Sequence, residues 1–272
     1  MPVTPLLLDE LHALCITLAT EAGEIARVRR VEGVEVAATK SSDVDIVTAV
    51  DREVEEWLRA RIAAARPDDA VLGEEGEDSP GSSGLTWVVD PVDGTVNYLY
   101  GLPFYAVSVA VCAGPPDPAG WDLLAGAVRA PALGHTWHAL RGGGAHRDGT
   151  RLTARPGTPL SKCLVGTGFS YLAERRREQG AVVSRLLPDV RDIRRLGSAA
   201  VDLCLVAEGS LDAFFEQGLN PWDMAAGWLV VTESGGHVHG LDGRRASIDM
   251  TVAGHGGTSE ELAGRLATLL AS

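Results

Sequence analysis

The sequence predicts an α+β fold: a helix-covered sheet, at least partly antiparallel, followed by a half in which strands and helices alternate. Three observations carry this expectation. Two stretches with helical apolar spacing come first, within the opening 65 residues. Four apolar runs then follow one another between residues 86 and 140, separated by Gly- and Pro-rich turns. After about residue 150 strand-like and helix-like runs alternate.

Residues 5–30 place Leu7, Leu11, Leu14, Leu18, Ala22 and Ile25 on one stripe of an amphipathic helix. Residues 51–65, DREVEEWLRARIAAA, repeat the spacing through Val54, Trp57, Leu58, Arg61 and Ile62, and Pro67 stops that helix. The stretch GEEGEDSPGSSG (73–84) is turn-rich. Strands are predicted over 86–89, 105–112, 123–130 and 135–140, bounded by GPPDPAG (114–120) and GGGAHRDG (142–149). In the second half strands are expected near 164–167, 191–196 and 211–216. Helices are expected over 175–187, 198–208 and 221–233, and a last one over 258–271. Asn220 is a suitable N-cap, Pro221 takes the first helical position, and Gly235-Gly236 follow the end of that helix.

A chain of 272 residues, 45 % hydrophobic and 22 % charged, can bury a sizeable core as one large domain or two intimate halves. No apolar run approaches the ~20 residues of a membrane span. Around Leu6-Leu7-Leu8 there is no basic flank of the kind a secretory signal carries. Cys15, Cys112, Cys163 and Cys204 lie far apart in apolar stretches, with no CxxC pair. They read as buried free thiols in a reducing cytoplasm, not as a zinc site. A net charge of −13 argues against nucleic acid as a partner. Phosphate remains accessible to an acidic protein when metal ions invert the local field. Lys40 and Lys162 are the only lysines, and Lys40 stands out in the polar segment TKSSDVD.

The chemistry concentrates in acids at strand ends. In WVVDPVDGT (87–95) an apolar run ends at Asp90, Pro91 stiffens the turn, and Asp93 can face the same point as Asp90. Gly94 and Thr95 offer backbone N–H groups at a helix start, so oxygen ligands for Mg²⁺ would lie beside a phosphate site. A plain strand–turn–helix with an Asp cap is the competing reading. Glu74 follows the apolar step Ala70-Val71-Leu72, whereas Glu77 and Asp78 read as solvated loop. Asp51 opens a helix, where capping alone would explain it. Asp223 falls in the first turn of the 221–233 helix, where the dipole favours an acid. The small residues Ala225, Ala226 and Gly227 let that helix pack closely. Gly142-Gly143-Gly144 and Gly166-Thr167-Gly168 lack the GK[ST] of a P-loop, and the histidines form no HExxH pattern.

Together GEE (73–75), DPVDGT (90–95) and WDMAAG (222–227) resemble the inositol monophosphatase family of metal-dependent phosphatases. So do KSSDVDIVTAVD (40–51) and RRLGSAAVDLCLVAEGSLDAFFE (194–216), in the family's order. The resemblance implies a layered α-β-α-β-α sandwich with residues 1–148 as an α+β half and 149–272 as an α/β half, metals between them. It implies two or three Mg²⁺ ions. Glu74, Asp90 and the carbonyl of Val92 would hold the first, and Asp90, Asp93 and Asp223 the second. A third, weaker ion would sit near Glu74. Thr95, paired with Asp51, would orient the attacking water, and the N–H groups of Gly94 and Thr95 would hold phosphate oxygens. Gly197, Ser198, Ala199 and Glu216 would meet the hydroxyl-bearing part of the substrate. Lys40 would belong to a mobile loop closing over the metals. Lithium sensitivity and a homodimer are further family expectations.

The physics agrees. A phosphate monoester dianion hydrolyses very slowly unaided. Two cations about 3.5–4 Å apart can activate a water and neutralise the departing alkoxide. The expected substrate is a small polyol or sugar phosphate, inositol monophosphate first. Fructose-1,6-bisphosphatase, histidinol-phosphatase and adenosine-3′,5′-bisphosphate phosphatase activities are the rivals on the same scaffold. A nucleotide would favour aromatic or basic groups at the pocket, which the sequence does not locate. A non-catalytic, protein-binding role is the rival of another class.

Overall fold

The computed structural model describes residues 4–34, 36–39 and 46–271. Helix α1 (Pro5–Glu32) starts where the Thr4 hydroxyl accepts the Leu7 N–H, with Pro5 at its first position. Strands β1 (Val36–Thr39) and β2 (Ile46–Thr48) pair antiparallel. Lys40 and the rest of 40–45 lie outside the described residues. Helix α2 (Ala49–Ala65) is capped by Thr48, not by Asp51. Asp51 is its third residue and closes a capping box, accepting the Thr48 N–H at 2.9 Å.

Seven strands then form one sheet in chain order. They are β3 (Ala70–Gly73), β4 (Leu85–Asp93), β5 (Ala106–Ala113), β6 (Asp122–Ala130), β7 (His135–Leu140), β8 (Gly144–Arg147) and β9 (Thr150–Arg151). β3 and β4 run parallel, and every other neighbouring pair is antiparallel. Alternation sorts the faces. Trp87, Val89, Val107, Val109 and Val111 pack with Leu11, Leu18, Val54, Leu58 and Ile62 of α1 and α2. Val88, Ala110, Cys112, Val128 and Trp137 face the other way. The short helix α3 (Thr95–Tyr100) follows β4 directly.

The second half builds a five-stranded sheet, order β11-β10-β12-β14-β13, from β10 (Leu164–Thr167), β11 (Asp192–Arg194), β12 (Ala213–Glu216), β13 (His237–His239) and β14 (Thr251–Gly254). Helices α5 (Ala199–Glu208) and α6 (Pro221–Glu233) lie between the two sheets, where Ala200, Leu203, Met224, Ala225 and Val230 join the core shared with Val88 and Phe214. Helices α4 (Ala173–Leu186) and α7 (Thr258–Leu270) cover the outer face through Val182, Leu186, Leu262 and Leu266. The result is the layered α-β-α-β-α sandwich. Small residues make the middle layer close. A Cβ on Gly126 of β6 would lie 3.1 Å from Ala226 Cα, and one on Gly227 would lie 2.7 Å from Leu203 Cβ.

Two regions depart from the sequence expectation. GGGAHRDG is not only turn: β8 and β9 pair around Asp148-Gly149, whose φ values of 50° and 79° make a tight hairpin. The segment after Gly235 holds β13 and β14, each too short for its periodicity to register.

Candidate active site

The centre of the site is the end of β4. The strand runs on to Asp93, past the expected end at Asp90, with its pairing to β5 broken between those two residues. In a regular strand residues three apart face opposite sides. The irregularity lets both acids turn to one place. Gly94 follows at φ 94°, a left-handed conformation that turns the chain into α3. A Cβ there would sit 2.9 Å from Phe104 O and 3.0 Å from Gly197 O.

One oxygen of Asp90, one of Asp93 and one of Asp223 lie within 4.8 Å of each other. Each carboxylate is also anchored by the backbone. Asp90 Oδ1 accepts the Val92 N–H at 3.0 Å, and Asp223 Oδ2 accepts the Asn220 N–H at 2.6 Å. Asp93 Oδ2 accepts the Ser198 hydroxyl at 2.6 Å and the Ala200 N–H at 2.7 Å, joining the first half to the start of α5. Asp90 Oδ2 is buried with no hydrogen-bond partner. Glu74, just past β3, lines the same cavity.

Burial pushes Asp90 and Asp223 well above the usual carboxylate range, with Glu74 the strongest neighbouring charge on both. Asp93 is pushed up to about 6 by burial, held back by its bonds to Ser198 and Ala200. Crowded carboxylates with an orphaned buried oxygen fit a hard divalent cation that takes oxygen ligands. The donor set passes that test.

Thr95 lies beside this group. Its hydroxyl is 3.1 Å from Asp51 Oδ1 and 3.1 Å from the Val92 carbonyl, and its one proton can serve only one of them at a time. Burial raises the Asp51 pKa, partly offset by the hydroxyl and N–H of Thr48 and then by Thr95.

A cavity of about 370 Å³ connects Glu74, Asp90, Val92, Asp93, Gly94, Thr95 and Asp223 with Gly197, Ser198, Ala199 and Glu216. All the residues singled out from the sequence line it except Asp51, which reaches it through Thr95, and Lys40, which lies outside the described residues. The Ser198 hydroxyl is already engaged by Asp93 and by the Val201 N–H. Glu216 closes the far wall at the end of β12, where burial raises its pKa to about 8 against the opposing pull of Arg195. Gly168 lies close beside it, where an added Cβ would fall 2.1 Å from the Glu216 carboxylate and displace it.

Sequence reasoning missed Asp202, Arg195, Arg175, Phe169, Tyr171 and Gln217, which also line the cavity. Asp202 left one usable signal, a lone acid in the apolar run AAVDLCLVA. It is 1 % exposed, its Oδ1 has no partner, and burial followed by Glu216 raises its pKa. Phe169 and Tyr171 sit in a loop without a pattern. With Arg175 and Arg195 they supply the aromatic and basic groups that the sequence did not locate.

Known proteins resemble this chain in sequence and in fold. An inositol-1-monophosphatase from Mycobacterium leprae is 43 % identical over 245 residues, covering 84 % of this chain and 82 % of that protein. The solved structure of Mycobacterium tuberculosis SuhB superposes with a TM-score of 0.80 at 39 % identity, covering 96 % of this chain and 97 % of that one. The extragenic suppressor protein suhB from Bartonella henselae gives a TM-score of 0.83 at 31 % identity, over 93 % and 97 % of the two chains. The model of the inositol monophosphatase family matches residues 7–272, which takes in both sheets, the carboxylate group and the cavity between them, and the chain belongs to that family.

Proposed function

We propose that the chain is a Mg²⁺-dependent phosphatase that hydrolyses inositol monophosphate to inositol and phosphate. The observation that carries this is the trio Asp90, Asp93 and Asp223, with the unpartnered Asp90 Oδ2, in one cavity with the Thr95–Asp51 pair. Glu74, Asp90 and the Val92 carbonyl would hold one ion. Asp90, Asp93 and Asp223 would hold a second, and a third would bind weakly near Glu74. When bound, these ions supply the positive charge that makes a water acidic and neutralises the leaving alkoxide. Thr95 Oγ–H donates a hydrogen bond to Asp51 Oδ1, which leaves a lone pair of Oγ to accept from the attacking water and orient it. The Gly94 and Thr95 N–H groups hold phosphate oxygens. Glu216, with Gly197 to Ala199, receives the polyol hydroxyls. Residues 1–148 thus bring most metal ligands, and 149–272 bring Asp223 and the substrate wall.

The deciding assay compares inositol monophosphate, fructose-1,6-bisphosphate, histidinol phosphate and adenosine-3′,5′-bisphosphate, with Mg²⁺ and with EDTA. Inositol monophosphate is expected to give the highest kcat/KM and EDTA to remove all turnover. No Mg²⁺-dependent turnover on any of them would leave a binding role as the reading. Phe169, Tyr171, Arg175 and Arg195 at the cavity are the specific reason to keep the nucleotide in the panel. A homodimer in a reducing cytoplasm completes the proposal, consistent with four buried, unpaired cysteines. No helix among the described residues is long and apolar enough to cross a membrane.

Glu216→Gln is expected to impair inositol phosphate turnover more than that of an aryl phosphate, which has no hydroxyl to place there. Above pH 8, where Glu216 is charged, the lost charge-assisted bond is worth roughly 1.5–3 kcal/mol. Equal losses on both substrates would point to a structural role. The same variant has a stability signature. A carboxyl raised from about 4.5 in the unfolded chain to about 8 in the fold favours folding below pH 4.5, and that contribution is lost as pH rises through 8. In EDTA, Glu216→Gln is therefore expected to raise Tm relative to the wild type at pH 8.5 and to change it little at pH 4.

Li⁺ is expected to inhibit. The Asp90–Asp93–Asp223 cage suits an ion of similar size to Mg²⁺, and half the charge there retains product phosphate without assisting the next attack. Inhibition should be non-competitive or uncompetitive against substrate. LiCl, NaCl and KCl at fixed ionic strength are the comparison, and identical curves for the three would sink the idea.

A further inference from the structure

We propose that Glu55 is a positioning residue that sets the metal affinity of the Glu74 corner of the site. This rests on the reading above that Glu74 is a metal ligand. Glu55 lies on α2 one turn beyond Asp51 and is 2 % exposed. Its Oε2 accepts the Glu75 N–H at 2.7 Å, and its Oε1 accepts the Gly76 N–H at 2.8 Å and the Arg59 Nε–H at 2.8 Å. A buried carboxylate is costly unless so paired, and here both oxygens are spent on one short turn.

The geometry points that effort at Glu74. The peptide group that presents the Glu75 N–H also carries the Glu74 carbonyl, so Glu55 fixes the chain on the far side of Glu74. On the near side Gly73 is paired with Val89 in the parallel β3–β4 ladder. Glu74 is thus held between a sheet and a buried anion, with its side chain on the cavity beside Asp90 and Asp223. The two glycines of Gly73-Glu74-Glu75-Gly76 follow from the same contact. A Cβ at Gly73 would lie 2.5 Å from Glu55 Oε1, and one at Gly76 would lie 2.9 Å from it. Arg59 ties the turn's far end through Ser79 Oγ at 3.2 Å, where Ser79 also bridges Val71. Since Asp51 sits on the same helix, α2 sets the spacing between the partner of Thr95 and the support of Glu74.

The test uses the full chain with Mg²⁺ alone as probe. Glutamine at position 55 keeps the shape but sets an NH₂ group against a backbone N–H. Glu55→Gln is expected to weaken Mg²⁺ binding, read from the Mg²⁺ dependence of Tm, by about ten- to a hundredfold, the usual effect of losing an outer-shell partner. The kcat at saturating Mg²⁺ should stay within a few-fold of the wild type and substrate KM should not change. The amides of Glu75 and Gly76 should exchange faster in the metal-free protein. If Glu55→Gln does not fold, Gly76→Ala makes the test from the other side and should move the Mg²⁺ dependence the same way. A lower Tm in the metal-free variant with unchanged Mg²⁺ half-saturation overturns the proposal, because a merely structural carboxylate would do that. Glu74→Gln separates the two levels. If it leaves Mg²⁺ binding intact, the ligand reading itself fails. If it weakens binding and Glu55→Gln does not, only the role of Glu55 fails.

Discussion

Asp93→Asn is expected to lower kcat by at least about a thousandfold while the metal-free protein keeps its fold. A Lewis-acidic ion contributes several kcal/mol to the transition state, and about 4 kcal/mol is a factor of a thousand. The fold should survive because of what Asp93 Oδ2 does. It accepts from the Ser198 hydroxyl and the Ala200 N–H, and an Asn carbonyl oxygen can accept both. What the amide cannot do is turn an anionic oxygen toward Asp90 and Asp223. Burial pushes Asp93 up to about 6, so its charge is carried at a cost in the empty site. Removing one charge from that group should leave the Tm of the EDTA-treated protein unchanged or raised. Circular dichroism melts with and without Mg²⁺, beside steady-state kinetics, check both halves. Near-normal kcat at ordinary Mg²⁺ would overturn the assignment of this residue to the metal.

Thr95→Ala is expected to cost about a hundredfold in kcat, the order of effect that a misplacement of about 1 Å of a reacting group produces. The hydroxyl is placed by α3 immediately after the Gly94 turn and by Asp51 Oδ1 3.1 Å away, so removal deletes the water's acceptor without opening the core. The Mg²⁺ half-saturation and substrate KM should change little, since neither the carboxylates nor the backbone N–H groups of Gly94 and Thr95 are touched. Thr95→Ser should recover most of the loss, because Oγ is the working atom. Asp51→Asn should fall between them and should also destabilise α2, whose first turn it caps with Thr48. An alanine variant within twofold of the wild type would show that Asp51 and Thr95 serve only to hold α2 against α3.

The order of helices and strands was legible because long apolar periods carry it, whereas the layering came from the family resemblance. The 221–233 helix was readable to the residue, since Asn220-Pro221 and Gly235-Gly236 mark both ends. The acids of the site were legible as residue types at strand ends and in the first turns of helices. The convergence of Asp90 and Asp93 was expected from the turn at Pro91, and that of Asp223 from the family resemblance, but its structural cause was not. That cause is the irregular register between Asp90 and Asp93, which has no residue signature beyond Pro91 and Gly94. The support behind them was equally hidden. Glu55 reads in sequence as one more solvent-facing acid in DREVEEW, yet it is 2 % exposed because a turn 20 residues later folds over it. Asp202 and Arg195 reach the cavity through helix geometry and a loop, where no short motif announces a direction.

The walls of the cavity come from different parts of the sandwich, and that has a consequence for how such a protein can change. The reactive wall is built on β4, α2 and the first turn of α6, where Gly126 admits α6 only at the closest approach. Another wall, with Phe169, Tyr171, Arg175 and Gln217, rides on loops and on helix α4 beside the five-stranded sheet. Substitutions there leave the carboxylates and their backbone anchors untouched. Selection, natural or in the laboratory, can therefore exchange one ester for another at that wall while the hydrolytic apparatus is inherited unchanged. A library confined to residues 169–175 and 217 is the place to look for a new substrate range.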